Sequence, residues 1–398
     1  MSARIGIPSY PEELEDWWWR KAGGKWPDAT ESRILNLLRE EITTQSDRFN
    51  KERAFTHSSY GSRDLSILAY GNFFFPRTWM QNSFVLAETI DLRGWKGPRK
   101  GPLRILDLGA GSGAGGLAAL RLLRDRGIEN PIQLHAVDYS GKSLSYLRSI
   151  HAANGHLWPR TTVTTERHDL SKTLPPKTPH AYDFVFLSSS LNEISSGTDV
   201  SAVAKSLNEI SKVIKTSGLL VVIEPALRAV CHCLHRAAAN ISESSELWLH
   251  GPYFNGSPCP FASTKSRYHS HEVRRRTPPE TVRRLNQPLG LSIQDLKFSF
   301  ILLGRKKPIP FDQGPSVLRL VSPVSKRKGI YCFIGIGGDT EERTYEIQTR
   351  TLDVEGHNFI DLLERGDVLR LREWETFEES RLVRIPSTDA IEILWPSG

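Results

Sequence analysis

The segment Ile105-Leu106-Asp107-Leu108-Gly109-Ala110-Gly111-Ser112-Gly113 limits what this chain can fold into more than any other stretch. It follows an apolar strand pattern, Leu103–Leu108, and opens a helical pattern from about Ala114 to Arg124. Glycines at alternate positions let the backbone adopt dihedrals that a side chain forbids and approach a ligand closely. The helix behind the turn offers free N–H groups in its first turn. Dinucleotide enzymes also use such a turn, so the glycines alone point to a nucleotide-like ligand and no further. Two acids narrow the choice. Asp107 precedes the first glycine at the strand end. Asp138 ends the next strand, in His135-Ala136-Val137-Asp138-Tyr139-Ser140, where a carboxylate can accept both ribose hydroxyls.

The chain around the loop alternates strand and helix patterns. Strands are expected at Pro131–Val137, Val163–Arg167, Tyr182–Leu187, Gly218–Glu224 and Ser292–Leu303, and helices at Lys142–Ala153 and Val200–Ile214. Several of these strands are continuous apolar runs, which implies a parallel sheet covered on both faces. The fold class is therefore α/β, with a Rossmann-like sheet. Residues 1–95 read as a helical region, with Ile34, Leu37, Leu38 and Ile42 at helical spacing in Glu31–Ile42 and a second helix at Thr78–Ile90. Trp17, Trp18 and Trp19 cannot share one helical face. They serve either as a packing anchor or as a stacking surface, and the anchor is expected because exposed large aromatics are uncommon. Gly94–Pro102 is a linker. The Rossmann-like domain then spans 96–308, with an insertion at about 241–290. Strand composition at Gly329–Ile336, Thr344–Thr351 and Asp367–Arg372 makes 309–398 a small β-rich, barrel-like module.

Bulk composition excludes more than it selects. With 39% hydrophobic and 24% charged residues, the chain has a globular balance. No apolar run approaches the ~20 residues of a membrane span, so no membrane partner is expected. Residues 1–19 fit neither a secretory signal nor a transit peptide. Four cysteines make no disulfide framework in 398 residues and suit a cytoplasmic setting. The net charge of +7 favours an anionic partner such as RNA.

The order of Asp107, the glycines and Asp138 resembles that of class I S-adenosylmethionine methyltransferases. The resemblance implies S-adenosyl-L-methionine as cofactor, with Asp107, Gly109, Ala110, Gly111 and Gly113 bordering its methionine part. It places Asp138 and Tyr139 at the ribose, and Asp169 and Leu170 near the adenine. Ser188 ends the fourth strand in Ser188-Ser189-Ser190-Leu191-Asn192-Glu193, at the carboxyl edge where ligands bind. Asn192 and Glu193 are candidates for the substrate side. Glu193, Glu224 and His269 are candidate catalytic groups, since a base helps when the acceptor is protonated. Glu224 can equally be a helix-start acid.

Longer phrases narrow the resemblance. LDLGAGSGAGGLAAL, VDYSGKSL, LSSSLNEI, GLLVVIEPA, SPCP and LKFSFILLGRK resemble the methyltransferase-like assembly-factor family of the mitochondrial and bacterial small ribosomal subunit. That family holds an iron–sulfur cluster on four cysteines and binds small-subunit rRNA. Here Cys259 and Cys332 match two of those cysteines, and Tyr268 stands where a third is expected, so a standard cluster is not expected. Cys259, Cys332, His269 and His271 form a weaker alternative, a zinc site. Cys231 and Cys233 point to different sides of a helix and do not converge. Arg274, Arg275, Arg276, Arg283 and Arg284 could neutralise phosphates or form a solvated face. Three functions follow: a methyltransferase acting on rRNA, a non-catalytic ribosome-assembly factor that keeps the cofactor fold, and a diverged methyltransferase of a peptide or small molecule. The N-terminal helices are expected to cover the substrate cleft.

Overall fold

The computed structural model describes residues 6–47, 61–173, 181–195, 198–262, 268–377, 379 and 381–397. The chain opens with helices α1 (Glu12–Lys25), α2 (Glu31–Asp47), α3 (Asp64–Ala69) and α4 (Phe75–Ala87). A π-helical turn, Tyr70–Phe74, joins α3 to α4, and a second one, Glu88–Leu92, ends the run. Trp18 is fully buried and stacks on Tyr146 at 5.7 Å, Trp17 is buried, and Trp19 is partly covered. The tryptophan run is thus a packing anchor.

Strands and helices then alternate: β1 (Leu103–Leu108), α5 (Ala114–Asp125), β2 (Ile132–Asp138), α6 (Gly141–Ala153), β3 (Thr161–Arg167), β4 (Tyr182–Ser188), α7 (Leu191–Ile194), α8 (Val200–Ser211), β5 (Ile214–Pro225), α9 (Arg228–Ser244), β6 (Trp248–Gly251), β7 (Glu272–Arg275), α10 (Glu280–Asn286) and β8 (Asp295–Gly304). The sheet order is β3-β2-β1-β4-β5-β8-β6, with β7 also on β8. β3, β2, β1, β4 and β5 run parallel, and β8 runs antiparallel to β5. The order reverses between β1 and β4, which is the switch point where open α/β sheets leave a crevice. Within the expected insertion at 241–290, β6 and β7 both pair with β8. Helix α8 stops earlier than the helical period suggests, because Ile214 pairs with Tyr182 in the ladder. Tertiary pairing overrides a weak local preference there.

Side-chain alternation builds two cores. Ile105, Phe184, Phe186, Val221, Ile223 and Phe300 face one way and join the N-terminal helices and α5. Leu106, Val185, Leu187, Val222 and Ile301 face the other way and join α8 and α9. This is the two-residue strand period with both faces buried, as the apolar runs required.

The remainder forms β9 (Val317–Leu320), β10 (Ser325–Arg327), β11 (Ile330–Gly337), β12 (Glu342–Gln348), α11 (Val354–Asp361), β13 (Val368–Leu371), β14 (Glu375–Phe377), β15 (Leu382–Arg384) and β16 (Ile391–Trp395). Their order is β14-β15-β12-β11-β9-β13-β16, with β10 on β11. Among the described residues β14 and β16 end this sheet without pairing to each other, so it is an open sheet and not a barrel. No described helix is long and apolar enough to cross a membrane.

Candidate active site

A cavity of 320 Å³ opens at the switch point, within the roughly 300–1,000 Å³ of small-molecule sites. Its floor is the β1–α5 loop. Gly109, Gly111 and Gly113 all have positive φ, but for different reasons. A Cβ on Gly109 would lie 2.4 Å from the Ser190 Cβ, and one on Gly113 would lie 2.6 Å from Leu147. These two glycines let neighbouring segments close on the loop. A Cβ on Gly111 would meet nothing within 4 Å, so this position presents bare backbone to the cavity.

The two acids are held by backbone donors. The Gly116 N–H donates to Asp107 Oδ2 at 2.9 Å. Burial is the main cause that pushes the Asp107 carboxyl up to about 7, and nearby Asp138 adds to it. The Gly111 N–H donates to Asp138 Oδ2 at 2.9 Å, and the Ser140 N–H donates to Oδ1 at 2.8 Å. Burial also raises the Asp138 carboxyl. A carboxylate offers about four lone-pair sites, so two remain on Asp138 for a diol.

The expected cofactor residues Asp107, Gly109, Ala110, Gly111, Asp138, Tyr139, Asp169, Leu170 and Ser188 all line this cavity. Gly113 does not; it sits against Leu147 under the first turn of α5. The Ser188 hydroxyl donates to Asn82 Oδ1 at 2.7 Å, which fastens α4 to the end of β4. Ser189 has φ 60°, a strained value of the kind that collects at functional sites.

The catalytic candidates separate. Glu193 and Asn192 line the cavity. Glu224 does not line it. Its Oε1 accepts the Leu191 N–H at 3.0 Å, and its Oε2 accepts the Asn192 amide, so it anchors the short helix α7. That corrects the expectation of a cleft-facing acid in favour of the helix-start role. His269 is also away from the cavity, stacked 4.5 Å from His271. Burial lowers the pKa of both rings, that of His271 to about 4.

The thiols are no better placed for metal. Cys259 packs with Tyr253, Phe261 and Ile336, and burial pushes its thiol up to about 11. Cys332 Sγ lies 3.1 Å from the Ser325 hydroxyl. Among the described residues no group of three or more His, Cys, Asp or Glu side chains could hold a metal ion.

The arginine run is also spoken for. Arg274 is buried and ion-pairs with Glu272 at 2.6 Å. Arg275 pairs with Asp295, Arg283 with Glu280, and Arg284 with Glu31, while Arg276 covers the Phe84 ring at 5.0 Å. Charge counted along the sequence does not show these partners; Arg274 is buried, while Arg275 and Arg283 keep exposed side chains beside their acids.

Sequence reasoning missed a whole wall. Tyr70, Phe74, Arg77, Thr78 and Gln81 project from the α3–α4 run into the cavity, and Lys297 enters from β8. Positions 70, 74, 77 or 78 and 81 fall on one helical face. The available signal was a polar stripe inside an otherwise apolar helix.

A family model described as a methyltransferase domain matches residues 100–272. No curated protein matches the chain. Among solved structures, the PH0226 protein of Pyrococcus horikoshii is 20% identical, with 37% of this chain and 60% of that chain covered and a TM-score of 0.27. This chain therefore spans less than two thirds of that protein's length. The [4+2]-cyclase SpnF is 17% identical, with coverage of 59% and 83% and a TM-score of 0.32. The CMeT domain of the citrinin polyketide synthase is 13% identical, with coverage of 76% and 81% and a TM-score of 0.36. The matched span contains the glycine loop, both acids and the end of β4, and S-adenosylmethionine is the cofactor that such a domain implies.

Proposed function

We propose that this chain is an S-adenosylmethionine-dependent methyltransferase whose acceptor is a small molecule admitted to the cavity under α4. The observation that carries this reading is the pairing of an open glycine, Gly111, with Asp138 at the next strand end, inside the span matched as a methyltransferase domain. The residues fit the cofactor: bare backbone, a carboxylate with spare lone pairs for a ribose, and a buried acid beside the loop. Bound S-adenosylmethionine would supply a methyl group on a sulfonium for in-line transfer to a nucleophile.

The chain's own part is mostly positioning, which can be worth roughly 7–11 kcal/mol of a barrier. Asp138 holds a diol, and the Gly111 N–H orients Asp138. Tyr70, its hydroxyl held by Thr78 at 3.3 Å, stays protonated because burial pushes its pKa up to about 12. Its one proton goes to Thr78 Oγ1, so it stands in the wall as a neutral phenol. Phe74 and Gln81 line the cavity beside it. Glu193 lines the cavity and is the group placed to take a proton from a protonated acceptor.

A second reading, an assembly factor on small-subunit rRNA without turnover, draws on the net charge of +7 and the phrases shared with that family. One experiment separates the two. Ligands that copurify with the full chain are identified by mass spectrometry, and cell extract is then labelled with methyl-labelled S-adenosylmethionine and fractionated. Label in the small-molecule fraction is expected. Label in rRNA would reassign the acceptor, and bound cofactor without label in any fraction would favour the assembly factor.

A further inference from the structure

Buried arginines in this chain meet carboxylates. Arg93 pairs with Glu88 at 2.8 Å, Arg274 pairs with Glu272, and Arg319 reaches both acids. Arg77 is different. It is largely covered and lines the cavity, yet it makes no ion pair or hydrogen bond among the described residues. Burial is the only cause that lowers its pKa, with no acid offsetting it. A covered guanidinium without a counter-charge is costly unless a ligand supplies one. Guanidinium also has the fork geometry that matches a carboxylate or phosphate.

Lys297 adds a second cation. It lies at the start of β8, next to Phe298, which pairs with Pro225 at the carboxyl end of β5. The nearby Asp295 is taken by Arg275. Three of the cavity's acids lie elsewhere, Asp107 on β1, Asp138 at the end of β2, and Asp169 after β3, where Lys172 pairs with it at 3.4 Å, while the fourth, Glu193, enters from α7. From β1 to β8 there are three strand spacings, roughly 14 Å. Asp107, Asp138 and Asp169 thus lie on the β1–β3 side of the cavity, Arg77 enters it from α4, and the exposed Lys297 enters it beyond β5.

We propose that Arg77 and Lys297 form an oxyanion subsite, and that the methyl acceptor carries a carboxylate or phosphate group which they receive. This rests on the methyltransferase reading and narrows its acceptor class. Two sources could supply such a group: the acceptor, or the cofactor's own carboxylate. The position of Lys297 beyond β5, far from the glycine loop, favours the acceptor.

The test uses the full chain, with malonate and inorganic phosphate as probes, titrated calorimetrically with and without saturating S-adenosylhomocysteine. Wild type is expected to bind at least one probe in both conditions. Arg77→Gln and Lys297→Gln should each weaken probe binding about tenfold, and Arg77→Lys should keep most of it. S-adenosylhomocysteine affinity should stay near the wild-type value in all three variants, and thermal melts should confirm that they fold. Absence of probe binding, or binding indifferent to both glutamine variants, overturns the subsite. Displacement of the probes by S-adenosylhomocysteine, or a tenfold loss of its affinity in Arg77→Gln, overturns the acceptor assignment and gives the site to the cofactor's carboxylate. If wild type binds no S-adenosylhomocysteine, the methyltransferase reading fails, and the cofactor-free titration still decides the anion site.

Discussion

Asp107 carries the sharpest pH signature at the scale of single residues. Its carboxyl sits at about 7, chiefly because it is buried, against 3.8 for an ordinary aspartate. Between those values the folded state holds a proton that the unfolded state has lost. The stability from this group is therefore complete below about pH 4 and gone once pH passes about 7. The ammonium that S-adenosylmethionine and S-adenosylhomocysteine share would, beside Asp107, favour the carboxylate, so binding below about pH 7 releases a proton. S-adenosylhomocysteine affinity should rise as pH increases from 6 to 7 and level off above that. Asp107→Asn should flatten the profile, as calorimetry in buffers of different ionisation heat would register. A flat wild-type profile would remove Asp107 from the ligand's surroundings. These roles were legible early because they are local: a strand end, a glycine turn and an acid one strand away. Glu224 was less legible. From the sequence it is an acid at a strand end like Asp138, and only the Leu191 and Asn192 donors distinguish its job.

At the scale of elements, the α3–α4 run decides the shape of the cavity. Its π-helical turn shifts Tyr70 and Phe74 onto the cavity face, a device often found at functional sites. Trp18 presses on this turn at Gly71, where an added Cβ would lie 2.2 Å from the indole. Gly71→Ala should therefore cost about 1–3 kcal/mol in denaturant unfolding and weaken ligand binding as the turn shifts. Stability within experimental error of wild type would show that the indole yields freely. Sequence periodicity foresaw helices here but not the wall. Which face of a mostly apolar helix meets a cleft depends on what packs behind it, and Trp18 and Asn82 are distant in sequence from the partners that set this. The ion pairs of the arginine run were hidden for the same reason. Arg274 and Glu272 are near neighbours, but Arg319 and Glu88 complete their cluster from far along the chain.

That cluster works at the scale of the whole molecule. Glu88 ends the N-terminal helices, Glu272 and Arg274 belong to the main sheet, and Arg319 comes from β9 of the second sheet. Arg319 donates to Glu88 at 2.7 and 2.9 Å and to Glu272 at 3.1 Å, and all three are buried. Burial alone would raise the Glu272 carboxyl, but Arg274, Arg319 and Arg365 outweigh it and bring it down to about 2. A depressed carboxyl stabilises the fold above its unfolded value, here 4.5, and that contribution is lost as pH falls toward 2. Arg319→Ala leaves two buried carboxylates under-compensated and should cost about 3–5 kcal/mol in equilibrium unfolding. The loss should shrink as pH falls and Glu272 takes up a proton. A loss below 1 kcal/mol at neutral pH would mean that the three regions are held together by their apolar contacts alone.

The central claim, that the β1–α5 loop and Asp138 bind S-adenosylmethionine, is tested most directly by calorimetric titration of S-adenosylhomocysteine into wild type and Gly111→Arg. Gly111 faces open space at φ 53°, so the arginine fills the cavity at a backbone cost of about 1–2 kcal/mol. Wild type should bind one equivalent, and Gly111→Arg should bind none while still unfolding cooperatively. No heat with wild type, or unchanged affinity in the variant, would contradict the account.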